Sequence, residues 1–119
     1  MLVLERDRHM GNLLQEWLVA AGYDPVLASG ESSASAVNIG RVDVVLADIS
    51  SPRPAASALV VLLRASFPGT PIVLMSGYFM ASGAQSRKVA RALGVAGVLP
   101  KPFTRGALLG ILARLVARQ

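Results

Sequence analysis

The run Val42-Asp43-Val44-Val45-Leu46-Ala47-Asp48, residues 42–48, decides how this chain is read. Residues 42–47 are apolar except for Asp43, with none of the regular polar alternation of a half-exposed strand. Such a run suits a strand covered on both faces, as in a parallel sheet packed between helices. It ends in a carboxylate, Asp48, followed by a polar loop to Pro54.

Outward from this run the chain alternates. Leu2-Val3-Leu4 reads as a first strand running into Glu5-Arg6-Asp7-Arg8. Pro25 to Ala28 reads as a second, with Pro25 at its start or edge. Pro71 to Met75 and Val95 to Leu99 supply the fourth and fifth. Between them, Leu14, Trp17, Leu18 and Ala21 recur at helical spacing up to Gly22. A short helix is predicted over 31–39, another around Leu59, Leu62 and Leu63 that stops at Pro68-Gly69, and a fourth over about 85–93. Thr104 caps the last helix, whose apolar stripe is Leu108, Ile111, Leu112, Leu115 and Val116. Five strands alternating with five helices predict one α/β domain over residues 1–119, with a parallel sheet and right-handed crossovers. Its working site belongs beyond the carboxyl ends of the strands.

The 119 residues, 53% of them hydrophobic, suffice for one core but not two. No apolar run reaches the ~18 residues of a membrane span, because Glu16, Arg64, Arg91 and Arg114 interrupt the richest stretches. The apolar opening at Met1 to Leu4 is too short for a signal peptide. With no cysteine, neither disulfides nor thiolate metal sites arise. A cytoplasmic protein without a membrane partner is expected.

Charge divides along the chain. Residues 1–50 hold all seven acidic residues and three basic ones, a balance of −4; residues 51–119 hold nine basic residues and no acid, a balance of +9. This asymmetry suits an electrostatically steered partner, and equally a set of solvated helix faces. Aromatic residues do not interleave with the arginines, which argues against direct nucleic-acid binding by stacking.

The polar residues after each strand carry the chemistry. Strand one delivers Glu5, Arg6 and Asp7; strand three Asp48; strand four Ser76; strand five Lys101, before Pro102. This is equipment for accepting a phosphoryl group on a carboxylate. Asp48 would be the nucleophile, Lys101 would pair with one phosphoryl oxygen, and Ser76 would hydrogen-bond another. A divalent cation would neutralise charge between the acids and the phosphate. Each residue also has an ordinary reading: Asp48 a turn residue, Ser76-Gly77 a turn, Lys101 a surface lysine. Their common register favours the chemical one. His9, the single histidine, reads as a solvent-facing residue opening the first helix; Trp17, Met75 and Met80 read as packing.

In that order, Val44-Val45-Leu46-Ala47-Asp48 with Pro52, Leu74-Met75-Ser76-Gly77 and Lys101-Pro102-Phe103 resemble the receiver domains of bacterial two-component response regulators. The wording Met75-Ser76-Gly77-Tyr78 also resembles receivers attached to hybrid histidine kinases. The resemblance spans nearly the whole chain. It implies a flavodoxin-like fold of strand order 2-1-3-4-5, phosphotransfer from a phosphohistidine, and Mg²⁺ as cofactor. It also implies a signalling surface on the fourth helix, fifth strand and fifth helix. Asp48 then matches the phosphoacceptor, Ser76 the hydroxyl residue and Lys101 the lysine. The metal would be held by Glu5, Asp48 and the backbone carbonyl of Ser50. Lys101–Pro102 matches a peptide bond that is usually cis in the family.

Two positions depart from the pattern. The family places two adjacent acids after strand one, where this chain has Glu5 and Arg6. A permanent cation there weakens metal binding, and Arg6 is expected to pair with Asp48 instead. The family also has Tyr or Phe three residues before the lysine, where this chain has Val98; Tyr78 is the nearest alternative aromatic. Two functions result. One is a phosphoacceptor domain served by a histidine kinase or a histidine phosphotransfer protein. The other is a phosphorylation-independent interaction module in which Arg6 replaces the metal. Neither is an enzyme: no Ser/His pairing, nucleotide loop or flavin-stacking pair is present. The apolar excess and the +9 half suggest a partner or a homodimer on the side of the fourth helix, fifth strand and fifth helix.

Overall fold

In a computed structural model describing residues 1–28, 42–49, 53–77 and 83–116, the decisive run forms the middle strand of a five-stranded parallel sheet. The strands are β1 (Leu2–Leu4), β2 (Val26–Ala28), β3 (Val45–Asp48), β4 (Ile72–Ser76) and β5 (Gly97–Pro100), in the order β2-β1-β3-β4-β5. This is the flavodoxin-like order. Asp48 closes β3 as its last residue.

β3 begins three residues later than the apolar run suggests. Its neighbours start only at Leu2 and Ile72, and both are in register with Val45. Upstream, the Val44 carbonyl accepts from the Leu2 N–H at 3.0 Å and the Val42 carbonyl from the Thr70 hydroxyl at 3.2 Å. Those residues are buried, yet they lie below the paired part of the sheet. β5 likewise starts at Gly97, because the Val95 N–H still closes the preceding helix on the Ala90 carbonyl.

The helices are α1 (Arg8–Ala20), α2 (Arg53–Ser66), α3 (Gly83–Leu93) and α4 (Arg105–Val116). The helix predicted over 31–39 lies outside the described residues, so four of the five are described. Strand alternation sorts the core into two layers. Leu2, Leu4, Val45, Ala47, Ile72, Leu74 and Val98 pack with Leu59, Leu63, Val89 and Ala90, on the side of α2 and α3. Val3, Val44, Leu46, Val73, Met75 and Leu99 pack with Leu14, Leu18, Leu108 and Leu112, on the side of α1 and α4. Trp17 packs against this second layer and Met75 is fully buried within it.

The turns follow their chemistry. After α1, Gly22 takes φ +93°, its N–H bonding the Val19 carbonyl at 3.0 Å while the Tyr23 N–H bonds that of Leu18 at 2.9 Å. This cap needs a left-handed residue, and glycine adopts that conformation without a side-chain clash. Gly94 repeats the arrangement after α3 at φ +72°, and its carbonyl accepts a hydrogen bond from the Arg64 guanidinium in the last turn of α2. No helix among the described residues is long and apolar enough to cross a membrane.

Candidate functional site

The sheet order reverses between β1 and β3, so their carboxyl ends flank the crevice where open α/β sheets bind ligands. Glu5 follows β1 and continues the alternation of Val3. Asp48 continues that of Val44 and Leu46, and Lys101 that of Leu99. Three residues far apart in sequence thus emerge on the same side of three different strands.

There they meet. The Lys101 ammonium donates to Asp48 Oδ1 at 2.8 Å and to Glu5 Oε1 at 2.9 Å. Side-chain exposure falls from 25% for Lys101 to 10% for Asp48 and 1% for Glu5, so one half-sheltered cation serves two recessed carboxylates. Burial disfavours the charged form of Glu5 and holds its pKa above the ordinary 4.5, against the lowering effect of the Lys101 and Asp7 hydrogen bonds. For Lys101, burial opposes the charge, but the hydrogen bonds and attraction of Asp48 and Glu5 outweigh it and raise the pKa above 10.5. The ammonium is firmly charged, and the pair of carboxylates exceeds it by one negative charge when both are ionised.

Asp7 does not join them. Its Oδ1 accepts the N–H groups of His9 at 2.9 Å and Met10 at 3.3 Å, so it caps α1. Its own N–H bonds Glu5 Oε2 at 3.2 Å, fixing the carboxylate from the side opposite Lys101. The strand-one acids therefore split: Glu5 turns into the site and Asp7 serves the helix. A helix N-terminus just after an aspartate is a signal the sequence carries. Arg6, between them, is exposed, as is His9 in the first turn of α1.

Ser76 ends β4 one residue beyond Met75, the register partner of Asp48, and it is fully buried. It continues the alternation of Ile72 and Leu74. Its carbonyl accepts the Lys101 N–H at 2.9 Å, which carries the β4–β5 contact past the strand ends. The Lys101–Pro102 peptide is cis. Val98 is buried in the layer beneath α2 and α3. Ser50, Pro52, Tyr78 and Met80 lie outside the described residues.

Two carboxylates at this rim match the donor chemistry of Mg²⁺, which uses one or two carboxylates and completes its shell with water and phosphate oxygens. Among the described residues no group of three His, Cys, Asp or Glu forms a metal site by itself. Glu5 and Asp48 thus fit an ion shared with a phosphoryl group better than a resident, protein-caged one.

A parallel sheet in this order, with a carboxylate ending the middle strand and a lysine after the last, is the fold of CheY-like receiver domains. The chain's relatives are response regulators of bacterial two-component systems. The response regulator protein FleR of Pseudomonas aeruginosa is 32% identical over 115 residues, 95% of this chain and 24% of that protein. The non-phosphorylated HemR receiver domain of Leptospira biflexa superposes with a TM-score of 0.77 at 25% identity, covering 98% of this chain and 92% of the other. The receiver domain of the Francisella response regulator 1452 gives a TM-score of 0.79 at 22% identity, covering 98% and 95%. No family model matches the chain. The chain spans about a quarter of the length of the first curated relatives, 24% in each case.

Proposed function

We propose that this domain accepts a phosphoryl group on Asp48 from a phosphohistidine, carried by a histidine kinase or a histidine phosphotransfer protein, and so changes a protein-interaction surface. The observation that carries the reading is the 2.8 Å contact from Lys101 to Asp48 Oδ1 at the end of the central strand. With Oδ1 held, Oδ2 is the oxygen that attacks phosphorus. The new O–P bond forms as the N–P bond to the donor histidine breaks, and the departing imidazole takes up a proton. Lys101 then compensates the added negative charge, and the Ser76 hydroxyl offers a hydrogen bond to a phosphoryl oxygen. Glu5, Asp48 and the Ser50 carbonyl would hold Mg²⁺, which when bound neutralises charge between carboxylates and phosphate. In this reading the domain is a switch and a substrate rather than an enzyme, and it works in the cytoplasm.

Incubation with a small phosphodonor, or with beryllofluoride and Mg²⁺, tests the proposal. An adduct on Asp48 that disappears in Asp48→Asn is the expected outcome; its absence at every Mg²⁺ concentration defeats the proposal. That silence is instead the signature of the second reading, a phosphorylation-independent module in which Arg6 stands for the metal and pairs with Asp48. Arg6 in place of the second acid favours this alternative. Both readings predict Mg²⁺ affinity weaker than micromolar.

A further inference from the structure

Each described helix follows a strand of the parallel sheet: α1 follows β1, α2 follows β3, α3 follows β4 and α4 follows β5. All four therefore start at the end of the sheet where Asp48 stands. At their far ends they keep the charge rule for helices. Arg64, Arg91 and Arg114 lie in the last turns of α2, α3 and α4, where a cation meets the negative end of the helix dipole. At their starts the rule is reversed. None carries an acid in its first turn, and three open on arginine: α1 on Arg8, α2 on Arg53 and α4 on Arg105. A cation there faces the positive end of the dipole, so helix stability does not account for these residues.

Arg8 and Arg105 are exposed, and among the described residues neither forms an ion pair with a carboxylate. Arg6, also exposed, stands two positions before Arg8. Inside this ring the charge has the opposite sign. Glu5 and Asp48 share the Lys101 ammonium, and Asp7 turns its carboxylate to the N–H groups of His9 and Met10. The helices cover both faces of the sheet, so their first residues stand up to about 20 Å apart, two helix diameters. A single phosphoryl group at Asp48 does not span such a ring. A macromolecular surface does.

We infer that this rim docks its phosphodonor through acidic residues ringed about the donor histidine, an inference that rests on the phosphoacceptor reading. Charge complementarity carries it. The partner brings one phosphoryl group to the centre, where the Lys101 ammonium meets it, and keeps its acids at the margin, opposite Arg6, Arg8 and Arg105. The same charges steer the encounter. A nucleic-acid strand matches the ring but not the centre, because its phosphates would also lie over Glu5 and Asp48. A second copy of the chain fits poorly, since two-fold pairing would set this ring against itself.

The test is an amide-shift titration of the isotopically labelled domain with a synthetic alanine-based helical peptide. The peptide carries one histidine, with glutamates one turn to either side on the same face. A glutamine version and a single-stranded DNA oligonucleotide are the parallel probes. Shifts at the starts of α1 and α4 are expected with the glutamate peptide, fading as salt rises, and not with the glutamine one. In the double variant Arg8→Glu, Arg105→Glu binding should fall about tenfold. The urea midpoint of that variant should rise at the same time, because an acid at a helix start suits the dipole. Weaker docking by a more stable domain separates recognition from folding. The inference is overturned if the glutamine peptide or the double variant binds equally well, if DNA binds more tightly through the same amides, or if the double variant is less stable than the parent. Labelling of Asp48 by phosphoramidate, run alongside, reads the phosphoacceptor proposal by itself. Labelling without preference for the glutamate peptide defeats the inference alone; no labelling defeats the phosphoacceptor reading, and the inference with it.

Discussion

Glu5 is the most deeply placed charge of the site, with a carboxylate between the Lys101 ammonium at 2.9 Å and the Asp7 N–H at 3.2 Å. Its pKa is raised, first by burial, so the folded chain keeps a proton that the unfolded chain has released. Its stabilising contribution is complete below pH 4.5 and declines as pH rises through the raised folded value. Lys101 acts in another window: its raised pKa contributes stability that is present below pH 10.5 and lost as pH climbs through the folded value. Urea midpoints measured from pH 4.5 to neutrality should therefore fall less steeply in Glu5→Gln than in the parent; an unchanged slope would remove Glu5 as the cause. In the sequence, Asp48, Ser76 and Lys101 were legible because each follows an apolar strand. The shared ammonium was not, since it depends on Glu5 and Lys101 meeting across a separation of 96 positions.

At the scale of elements, two contacts govern how helices meet the strands. Asp7 satisfies two otherwise unpartnered N–H groups of α1. Asp7→Ala should cost about 1 kcal/mol in urea unfolding and speed hydrogen exchange at His9 and Met10. It should spare the site, because Glu5 is held by the Asp7 main chain rather than its side chain. Gly97, opening β5, has no room for a Cβ beside the Ile111 side chain of α4. Gly97→Ala should destabilise by about 1 kcal/mol, and adding Ile111→Val, which deletes the crowding methyl, should recover part of that loss. Element types were plain from hydrophobic period and from Gly22, Pro68-Gly69 and Thr104; the Thr104 hydroxyl does accept the Ala107 N–H, at 3.0 Å. Boundaries were less plain. Val42 and Val44 are as apolar as the strand that follows, and only the starts of β1 and β4 determine where pairing begins.

For the molecule as a whole, the sheet separates two cores that, among the described residues, share no side chain. Leu74 is fully buried among the residues beneath α2 and α3, and Trp17 reports on the opposite layer. Leu74→Ala should cost about 3 kcal/mol, with Trp17 fluorescence and far-ultraviolet circular dichroism still changing at one urea concentration. Separate transitions would mean that the layers unfold independently. The doubly covered sheet was legible from residues 42–48 alone, because only burial on both faces accommodates such a run. The strand order entered by resemblance, since apolar pattern alone does not say which strands are neighbours.

Lys101 is gripped at two points, its main-chain N–H by the Ser76 carbonyl and its ammonium by Asp48 and Glu5. Three positions upstream, Val98 is aliphatic and sealed in the core, so no aromatic ring there can swing between inside and outside. From Lys101 to Thr104 the backbone joins the doubly gripped lysine directly to the cap of α4, where the Thr104 hydroxyl accepts the Ala107 N–H.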